Sequence, residues 1–417
     1  MTKTIIPPPV SIPGSSSSSN ELQLQRIHPG LAAGGPVADS ERLSNAVTIT
    51  NEVCDPQVST LVDFGHAVDV DLEHDRFGRK VVAIAAVATG ECRSVISFRV
   101  LDQETLEPTQ ISPQLLASSA LRIPCVGKAD ITEWSASGAP VSQICFADAL
   151  QEPTTWVAAR FPRMTVLFQP LYHQRPVPVY SDYDGDRSIP RNYSNARLEP
   201  NPVLEIPSSQ TGGFAHADVT FNPWYQQQLG LVDERGNWSI WEISGWKRNM
   251  NASCIRSGAL PWSDTGDVTR VDDGTRHDGW ASIEWAGDFS SFVVADRRYL
   301  MLYRMDGDQM SAYSAELGLK KKSEWILDMK RSPRNVSHLF VLTTTRILWF
   351  DVDSVASVNE KGKQQPLVPR LAWHHFRDGA DITLRLSSLA LDEGMTLKYA
   401  KYLLTDGWLR AVSALVL

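Results

Sequence analysis

The chain has few of the features that would place it at once in a common class of protein. No stretch of 18 consecutive apolar residues occurs, so no transmembrane helix is expected. The amino-terminal Met-Thr-Lys-Thr-Ile-Ile-Pro-Pro-Pro has no apolar core of a secretory signal. The five cysteines are widely spaced, without a Cys-x-x-Cys pair, at Cys54, Cys92, Cys125, Cys145 and Cys254. This pattern indicates reduced thiols in a nuclear or cytosolic protein rather than a disulfide framework.

The chain also lacks an excess of basic residues. It carries 40 Lys and Arg against 48 Asp and Glu, a net charge of −8. Neutralising the phosphates of duplex nucleic acid requires clustered Lys and Arg, so the chain is a poor candidate for gripping duplex nucleic acid by itself. A local basic patch is still compatible with this balance. The densest basic run, Lys320–Lys322, is expected to lie in a solvated loop.

Motifs for metal binding and catalysis are incomplete or absent. Asp182–Asp186 resembles the start of a calcium loop, but Arg187 and Tyr193 stand where that loop needs Gly and Glu. His374 and His375 are adjacent, so on a strand they point to opposite faces, and no second ligand pair follows at a suitable spacing. No Gly-x-Ser-x-Gly elbow and no phosphate-binding glycine loop occur. We therefore expect no catalytic, cofactor-binding or metal-binding residues.

Two regions of different composition are present. Residues 1–45 are rich in Pro, Ser and Gly and include the run Ser15–Ser19. Such a segment cannot bury enough apolar area to offset its ordering entropy, so it is predicted to be a disordered tail. From about residue 60, short apolar runs alternate with turn residues, which predicts strands. The predicted strands cover 81–87, 95–101, 141–146, 155–159, 164–168, 217–221, 228–232, 238–243, 280–285, 291–295, 299–304, 325–329, 338–343 and 346–351.

The strands recur in triplets and are apolar on both faces, as in Leu229–Val232, Phe292–Ala295 and Leu339–Leu342. That pattern favours an all-β, WD-repeat-like β-propeller, whose sheets pack on both sides, over a sandwich with one solvated face per sheet. Five blades are recognisable, and a sixth is predicted to begin near Leu371; a complete ring is expected to have seven. The propeller is assigned to 60–417, with an inter-blade insertion at about 171–212. The apolar ending Ala411–Leu417 suggests that the propeller is truncated.

The best-formed blade runs from Gly213 and His216 to Trp241-Glu242, and the interval from His216 to Trp241 is 241 − 216 = 25 residues. It resembles a WD-type repeat, which a Gly-His pair opens and a Trp-Asp pair closes. Arg235 stands six residues before Trp241, where that repeat has the Asp that binds the His, and Asp233 stands eight before. A standard His–Asp network is therefore in doubt. His277 with Tyr303 gives a second, weaker match.

This blade also supplies the candidate site residues. Structural roles are predicted for His216, Phe221, Pro223, Asp233, Trp238 and Trp241. Trp224 and Tyr225 lie at the turn between the first and second strands, so they are predicted as a possible partner contact.

The amino-acid sequence of the same stretch is distinctive. His216–Gln228, Gly236–Trp241, Ser208–Gly213, Trp373–Arg377 and Asp381–Ser388 closely resemble the large propeller subunit of the fungal RNA polymerase I core factor, in the RNA polymerase I-specific transcription initiation factor family. The resemblance covers about residues 60–400 and weakens after Glu393, where family members continue into further strands and a helical region.

The resemblance implies a non-enzymatic scaffold of the nucleus and nucleolus, without a cofactor or a membrane. Its implied partners are the other core-factor subunits, RNA polymerase I and the TATA-binding protein, with the ribosomal DNA promoter contacted mainly through the complex. Two alternatives remain open on the residues alone. One is a generic WD-type adaptor unrelated to transcription, and the other is a propeller hydrolase with a catalytic site in its central channel.

Overall fold

Within the part of the chain that the structure describes, mostly antiparallel strands form five sheets. The computed structural model describes residues 58–70, 81–90, 93–106, 121–136, 139–150, 152–177, 196–246, 249–260, 278–319, 324–354, 366–375 and 384–386. All of these lie in one of the two compact units of the chain, Pro56–Ser388.

The first two sheets are interleaved along the chain. The strands of the first are β1 (Val62–Asp69), β2 (Val81–Thr89), β3 (Val95–Leu106) and β4 (Leu121–Ser135). Those of the second begin with β5 (Gln143–Phe146), β6 (Val157–Phe161) and β7 (Met164–Phe168). The short strands β8 (Leu171–Tyr172) and β9 (Leu198–Glu199) then join the first sheet, where β8 pairs in parallel with β1. The chain returns to complete the second sheet with β10 (Pro202–Pro207).

The remaining three sheets each contain four consecutive strands. The third comprises β11 (His216–Asn222), β12 (Tyr225–Asp233), β13 (Asn237–Trp246) and β14 (Asn249–Ala259). The fourth comprises β15 (Ala281–Trp285), β16 (Ser291–Asp296), β17 (Leu300–Asp306) and β18 (Gln309–Ser314). The fifth comprises β19 (Ile326–Arg331), β20 (His338–Thr343), β21 (Arg346–Asp351) and β22 (Leu371–His374). Short 3₁₀ turns occur at Ser208–Gln210 and Val352–Ser354, and no helix among the described residues is long and apolar enough to cross a bilayer.

The sheets are the blades of a β-propeller. The first strands β1, β5, β11, β15 and β19 neighbour one another in series, and an apolar core lies between each successive pair of sheets. Strand β16 shows why: Phe292 and Val294 enter the core shared with the third blade, whereas Val293 and Ala295 enter the core shared with the fifth. An interior strand thus packs on both faces, which favours apolar residues on each face. The predicted all-β propeller fold is confirmed.

The blade boundaries differ from two of the predictions. Leu371–His374 is β22, the last strand of the fifth blade, because it pairs with β21 through Ile347 and Trp373. It does not begin a sixth blade. The segment predicted as an inter-blade insertion at about 171–212 contains β8 and β9, which join the first blade, and β10, which completes the second. The predicted tail at 1–45 and the carboxyl-terminal end lie outside the described residues.

Candidate functional site

His216 at the start of β11 joins the second and third blades. Its imidazole Nε2 lies 2.7 Å from Thr211 Oγ1, and its Nδ1 lies 2.8 Å from Thr165 Oγ1 in β7. The Thr211 hydroxyl donates to the Ser208 carbonyl, so it accepts from Nε2–H, and Nδ1 accepts from Thr165. Burial, reinforced by the Arg160 guanidinium, lowers the pKa of His216 to about 4. The imidazole is therefore neutral at pH 7 and serves as a two-sided hydrogen-bonding link.

Asp233 does not bind this histidine, although its backbone pairs with that of His216 across the β11–β12 ladder. Its Oδ1 accepts the N–H groups of Arg235 and Asn237, each at 2.9 Å, and its Oδ2 accepts Asn237 Nδ2 at 2.7 Å. The carboxylate thus caps the turn between β12 and β13. Because the turn is longer, Asp233 does not occupy the position of the Asp that binds the His in a usual WD repeat. The hydroxyls of Thr165 and Thr211 bind the imidazole of His216 instead.

The aromatic residues predicted as structural lie in the cores between blades. Trp238 and Trp241 are 3% and 5% exposed, and they point to opposite faces of β13. The Trp238 ring contacts Phe292 and Tyr303 of the fourth blade, with centroids 5.0 and 4.9 Å apart. Trp241 packs toward the second blade, in a core that also contains Phe221. Each tryptophan therefore joins the third blade to a different neighbour.

The predicted partner-contact residues lie at the turn between β11 and β12. Asn222 Oδ1 accepts the Trp224 N–H at 3.0 Å, which shapes the turn, and the buried Pro223 gives its carbonyl to Leu150 N–H at 2.9 Å. Trp224 is half-buried against the core of the third and fourth blades, whereas Tyr225 is 43% exposed. The turn thus carries one partly exposed aromatic ring, that of Tyr225, beside the half-buried ring of Trp224. A role in partner contact remains a prediction.

Sequence reasoning missed a carboxylate device that is repeated in three first strands. Asp63, Asp218 and Asp328 each accept the next residue's N–H through Oδ1, at 2.9 Å in every case. Through Oδ2 each also accepts a backbone N–H from farther along the chain. The donors are Phe146 in β5 (2.6 Å), Ile283 in β15 (3.0 Å) and Leu386, which lies in no strand (2.8 Å). The available signal was an Asp between two apolar residues near the start of a first strand.

Asp218 makes the most contacts of the three. Its Oδ2 also accepts Ser282 Oγ at 2.6 Å, and its Oδ1 accepts Gln143 Nε2 at 2.6 Å. One carboxylate therefore ties the second, third and fourth blades together. The backbone ladder is irregular at this point, where a register shift separates His216 from Asp218. Such a bulge re-aims a side chain, here along the ring of first strands.

The first strands also bring together a charged cluster near the propeller centre. Burial disfavours the charge of Lys330, but the carboxylates of Asp328, Glu284 and Asp218 together outweigh it and raise the pKa of Lys330. Burial raises the pKa of Glu284 and of Asp328, an effect that Lys330 partly offsets. Arg331 Nη2 lies 2.8 Å from Asp148 Oδ2 and links the fifth blade to the second. The cluster joins blades that are not neighbours.

The chemistry of this cluster does not favour a nucleophile. Burial, with help from nearby carboxylates, raises the pKa of Cys145 well above its usual value, so its thiol stays protonated and unreactive. Among the described residues, no group of three or more His, Cys, Asp and Glu side chains could hold a metal ion. His375 Nε2 lies 3.0 Å from the Thr343 carbonyl, within the fifth blade.

With this geometry established, comparison with known proteins identifies the family. Residues 55–404 match the family model described as "Rrn6, beta-propeller". The chain belongs to the Rrn6 β-propeller family. This confirms the resemblance carried by His216–Trp241, since the matched range contains that entire stretch.

The Rrn6-family chain is similar to a curated relative and to solved structures. It is 30% identical over 189 residues to the RNA polymerase I-specific transcription initiation factor RRN6 of Saccharomyces cerevisiae, over 45% of this chain and 18% of the yeast protein. It matches the crystal structure of S. cerevisiae core factor with a TM-score of 0.52 at 15% identity, over 80% of this chain and 44% of that one. The Cps50 (Swd1) β-propeller domain of Myceliophteria thermophila aligns with a TM-score of 0.35 at 9% identity, over 70% and 69% of the two chains. The Rrn6-family chain thus spans less than half the length of its first two relatives.

Three of the segments considered from sequence lie outside the described residues. They are the acidic run Asp182–Asp186, the basic run Lys320–Lys322 and the second-repeat candidate His277.

Proposed function

We propose that this Rrn6-family chain is a non-enzymatic scaffold subunit of an RNA polymerase I core factor, which helps to assemble the pre-initiation complex on the ribosomal DNA promoter. The family match over residues 55–404 carries the proposal, and the named function of the yeast relative supports it. The proposed partners are the other core-factor subunits, RNA polymerase I and the TATA-binding protein, in the nucleus and nucleolus. The net charge of −8 favours promoter contact mainly through the complex.

The use of polar side chains supports a scaffold. His216, Asp63 and Asp218 use their hydrogen-bonding groups to join blades. A rigid ring that carries loops on two faces can hold several partners in fixed relative positions. We propose structural roles for His216, Phe221, Pro223, Asp233, Trp238 and Trp241, and partner contact for Trp224 and Tyr225.

Affinity purification of the tagged chain from nuclear extract tests this function. We expect mass spectrometry to find the other core-factor subunits and RNA polymerase I, and chromatin immunoprecipitation to enrich the ribosomal DNA promoter. Trp238→Ala, which opens the core between the third and fourth blades, should reduce both signals, whereas Tyr299→Ser at an exposed position should not. A cytoplasmic chain that purifies with neither core-factor subunits nor the polymerase would instead be an adaptor unrelated to transcription.

A further inference from the structure

Three consecutive blades expose a large apolar side chain at the same end of their strands. Leu150 lies in the connection from β5 to β6, Tyr225 at the start of β12, and Phe289 in the connection from β15 to β16. They are 43%, 43% and 66% exposed. With the half-buried Trp224 they form a surface that we name the apolar ridge (Leu150, Trp224, Tyr225 and Phe289). Single exposed apolar residues need no explanation, but their recurrence on adjacent turns of one face does.

Hydrogen bonds hold these turns against one another. The Leu150 N–H donates to the Pro223 carbonyl at 2.9 Å, and Asn222 Nδ2 donates to the Phe289 carbonyl at 2.9 Å. Gln226 Nε2 reaches Glu152 Oε2 at 3.1 Å. The backbone beneath the ridge is therefore ordered before any partner arrives. A partner that docks on it avoids most of the entropy cost of ordering loops.

The exposed charges on the three turns that form the ridge have one sign; Arg334 lies on the next turn, which is joined to the Phe289 turn by the Gly287 N–H and the Val336 carbonyl. In the described parts of 147–156, 223–224 and 286–290, the exposed ionisable side chains are the carboxylates Asp148, Glu152 and Asp288. Asp148 pairs with Arg331 but its side chain is still 78% exposed. Burial opposes ionisation of Asp288, but hydrogen bonds from Ser290 and Ser291 outweigh it and lower the pKa of Asp288. The Asp288 carboxylate therefore stays ionised at neutral pH.

We propose that the apolar ridge docks an amphipathic segment of a partner protein, one that places Lys or Arg next to large apolar side chains. The ridge supplies aromatic anchors, and the carboxylates complement basic residues on the partner. The same carboxylates would repel nucleic acid phosphates, and a second copy of the chain would bring like charges together. The identity of the partner class rests on the proposed scaffold function.

Site-specific photo-crosslinking in the purified complex tests the ridge directly. A benzophenone amino acid replaces Tyr225 in one sample and Tyr299, which is also exposed but lies on the opposite face, in the other. We expect Tyr225 to crosslink to a segment of another subunit that contains Lys or Arg among large apolar residues, and Tyr299 not to reach that segment. A crosslink from Tyr225 to an acidic segment, to nucleic acid or to a second copy of the chain would overturn the proposal.

A binding measurement with a defined probe separates this inference from the proposed function. Fluorescence anisotropy would compare two labelled peptides of about 18 residues, five helical turns, one built of Leu and Lys and one of Leu and Glu. We expect the Lys peptide to bind the isolated full chain and the Glu peptide to bind at least about tenfold more weakly. Phe289→Ser should weaken binding of the Lys peptide by about tenfold, and Glu152→Lys should weaken it by a few fold.

The controls lie on the opposite face, where Tyr299→Ser and Glu316→Lys should leave binding of the Lys peptide unchanged. If both peptides bound equally, or if the control variants lost as much affinity for the Lys peptide as the ridge variants, the proposal that the ridge docks a basic segment would be wrong. Self-association of the wild-type chain that Phe289→Ser abolishes would assign the ridge to a second copy. If the complex assembles normally with Phe289→Ser and the peptide binds unchanged, the ridge proposal fails while the scaffold function stands; if no complex forms with the wild-type chain, the function fails instead.

Discussion

At the scale of single residues, buried polar groups decide how this propeller is held together. His216 Nδ1 accepts from the buried Thr165 hydroxyl, and its Nε2–H donates to Thr211, whose hydroxyl also bonds the Ser208 carbonyl. A buried hydroxyl left without a partner costs about 1–3 kcal/mol. The histidine is therefore expected to contribute through what its removal would leave unpaired. Its neutral state is part of that role, because an imidazolium could not accept from Thr165.

His216→Gln is predicted to lower stability at pH 7 and to do so less at acidic pH. The pKa of His216 is about 4 in the folded chain and 6.5 for the free side chain, so the unfolded state binds the proton first. The stabilisation is fully present above pH 6.5 and is lost progressively as pH falls toward 4, by roughly 3 kcal/mol in all. Urea unfolding of both proteins at pH 7 and pH 5 checks this. A difference in unfolding free energy that is constant between the two pH values would contradict it.

At the scale of strands, position in the blade determines which features were visible in the sequence. Second and third strands such as β16 are buried on both faces, so their apolar runs were recognisable. Fourth strands lie at the rim, and the residues of β14 (Asn249–Ala259) are all half-buried or exposed, so the strand has no apolar run that would stand out in the sequence. Leu371 was mistaken for a new blade because nothing in its sequence shows that it pairs with β21.

The carboxylates of the first strands could not be recognised for a different reason. Asp218 lies within an otherwise largely apolar strand. In a sequence, a single Asp at such a position indicates only a lower strand propensity. Its function depends on Gln143 and Ile283, which lie 75 and 65 residues away in sequence. The turn that carries Trp224 and Tyr225 could be located from the sequence, by contrast, because a turn between two strands is a local feature. Side-chain contacts between blades are therefore the feature of the fold that a single sequence does not reveal.

Asp218→Ala is predicted to lower the free energy of unfolding by about 2–4 kcal/mol, since it removes an acceptor that donors from three blades share. Asp218→Asn retains one acceptor and should cost less. Asp306→Ala, at the exposed end of β17, is the matched control and should lie within about 0.5 kcal/mol of the wild type. Thermal or urea unfolding measures all three, and an Asp218→Ala variant as stable as Asp306→Ala would show that the link between blades is not needed.

Trp241→Ala is predicted to lower the free energy of unfolding by about 3–5 kcal/mol, because it removes a large buried side chain from the core of the second and third blades. Its indole N–H donates to Ser239 Oγ at 2.8 Å, and that hydroxyl would also lose its partner. Tyr225→Ala removes an aromatic ring of the same blade from an exposed position and should change little. An unchanged melting temperature for Trp241→Ala would contradict its place in the core.

At the scale of the whole molecule, the propeller centre is where distant blades act on one another. Lys330 in the fifth blade is attracted by Asp218 of the third and Glu284 of the fourth, and Arg331 binds Asp148 of the second. Removing one member of a buried charged set is more costly than the set is stabilising, because the remaining charges are left uncompensated. The stability of the propeller should therefore be sensitive to the loss of a single cation.

Lys330→Met is predicted to lower the free energy of unfolding at pH 7 by about 3–5 kcal/mol, since three carboxylates lose their counter-charge. Burial already raises the pKa of Glu284 and Asp328, and loss of the lysine would raise both further. A folded-state pKa above the unfolded value means that the folded chain binds protons first, so the variant should recover stability as pH falls from 7 toward 5. Glu284→Gln in the same chain should restore part of the loss at pH 7, by removing one of the unpaired charges. A double-mutant cycle of Lys330 and Glu284, followed by urea unfolding at pH 7 and pH 5, measures this coupling. Additive effects at pH 7, with no recovery at pH 5, would mean that the lysine acts through packing alone and that the blades are not joined electrostatically at the centre.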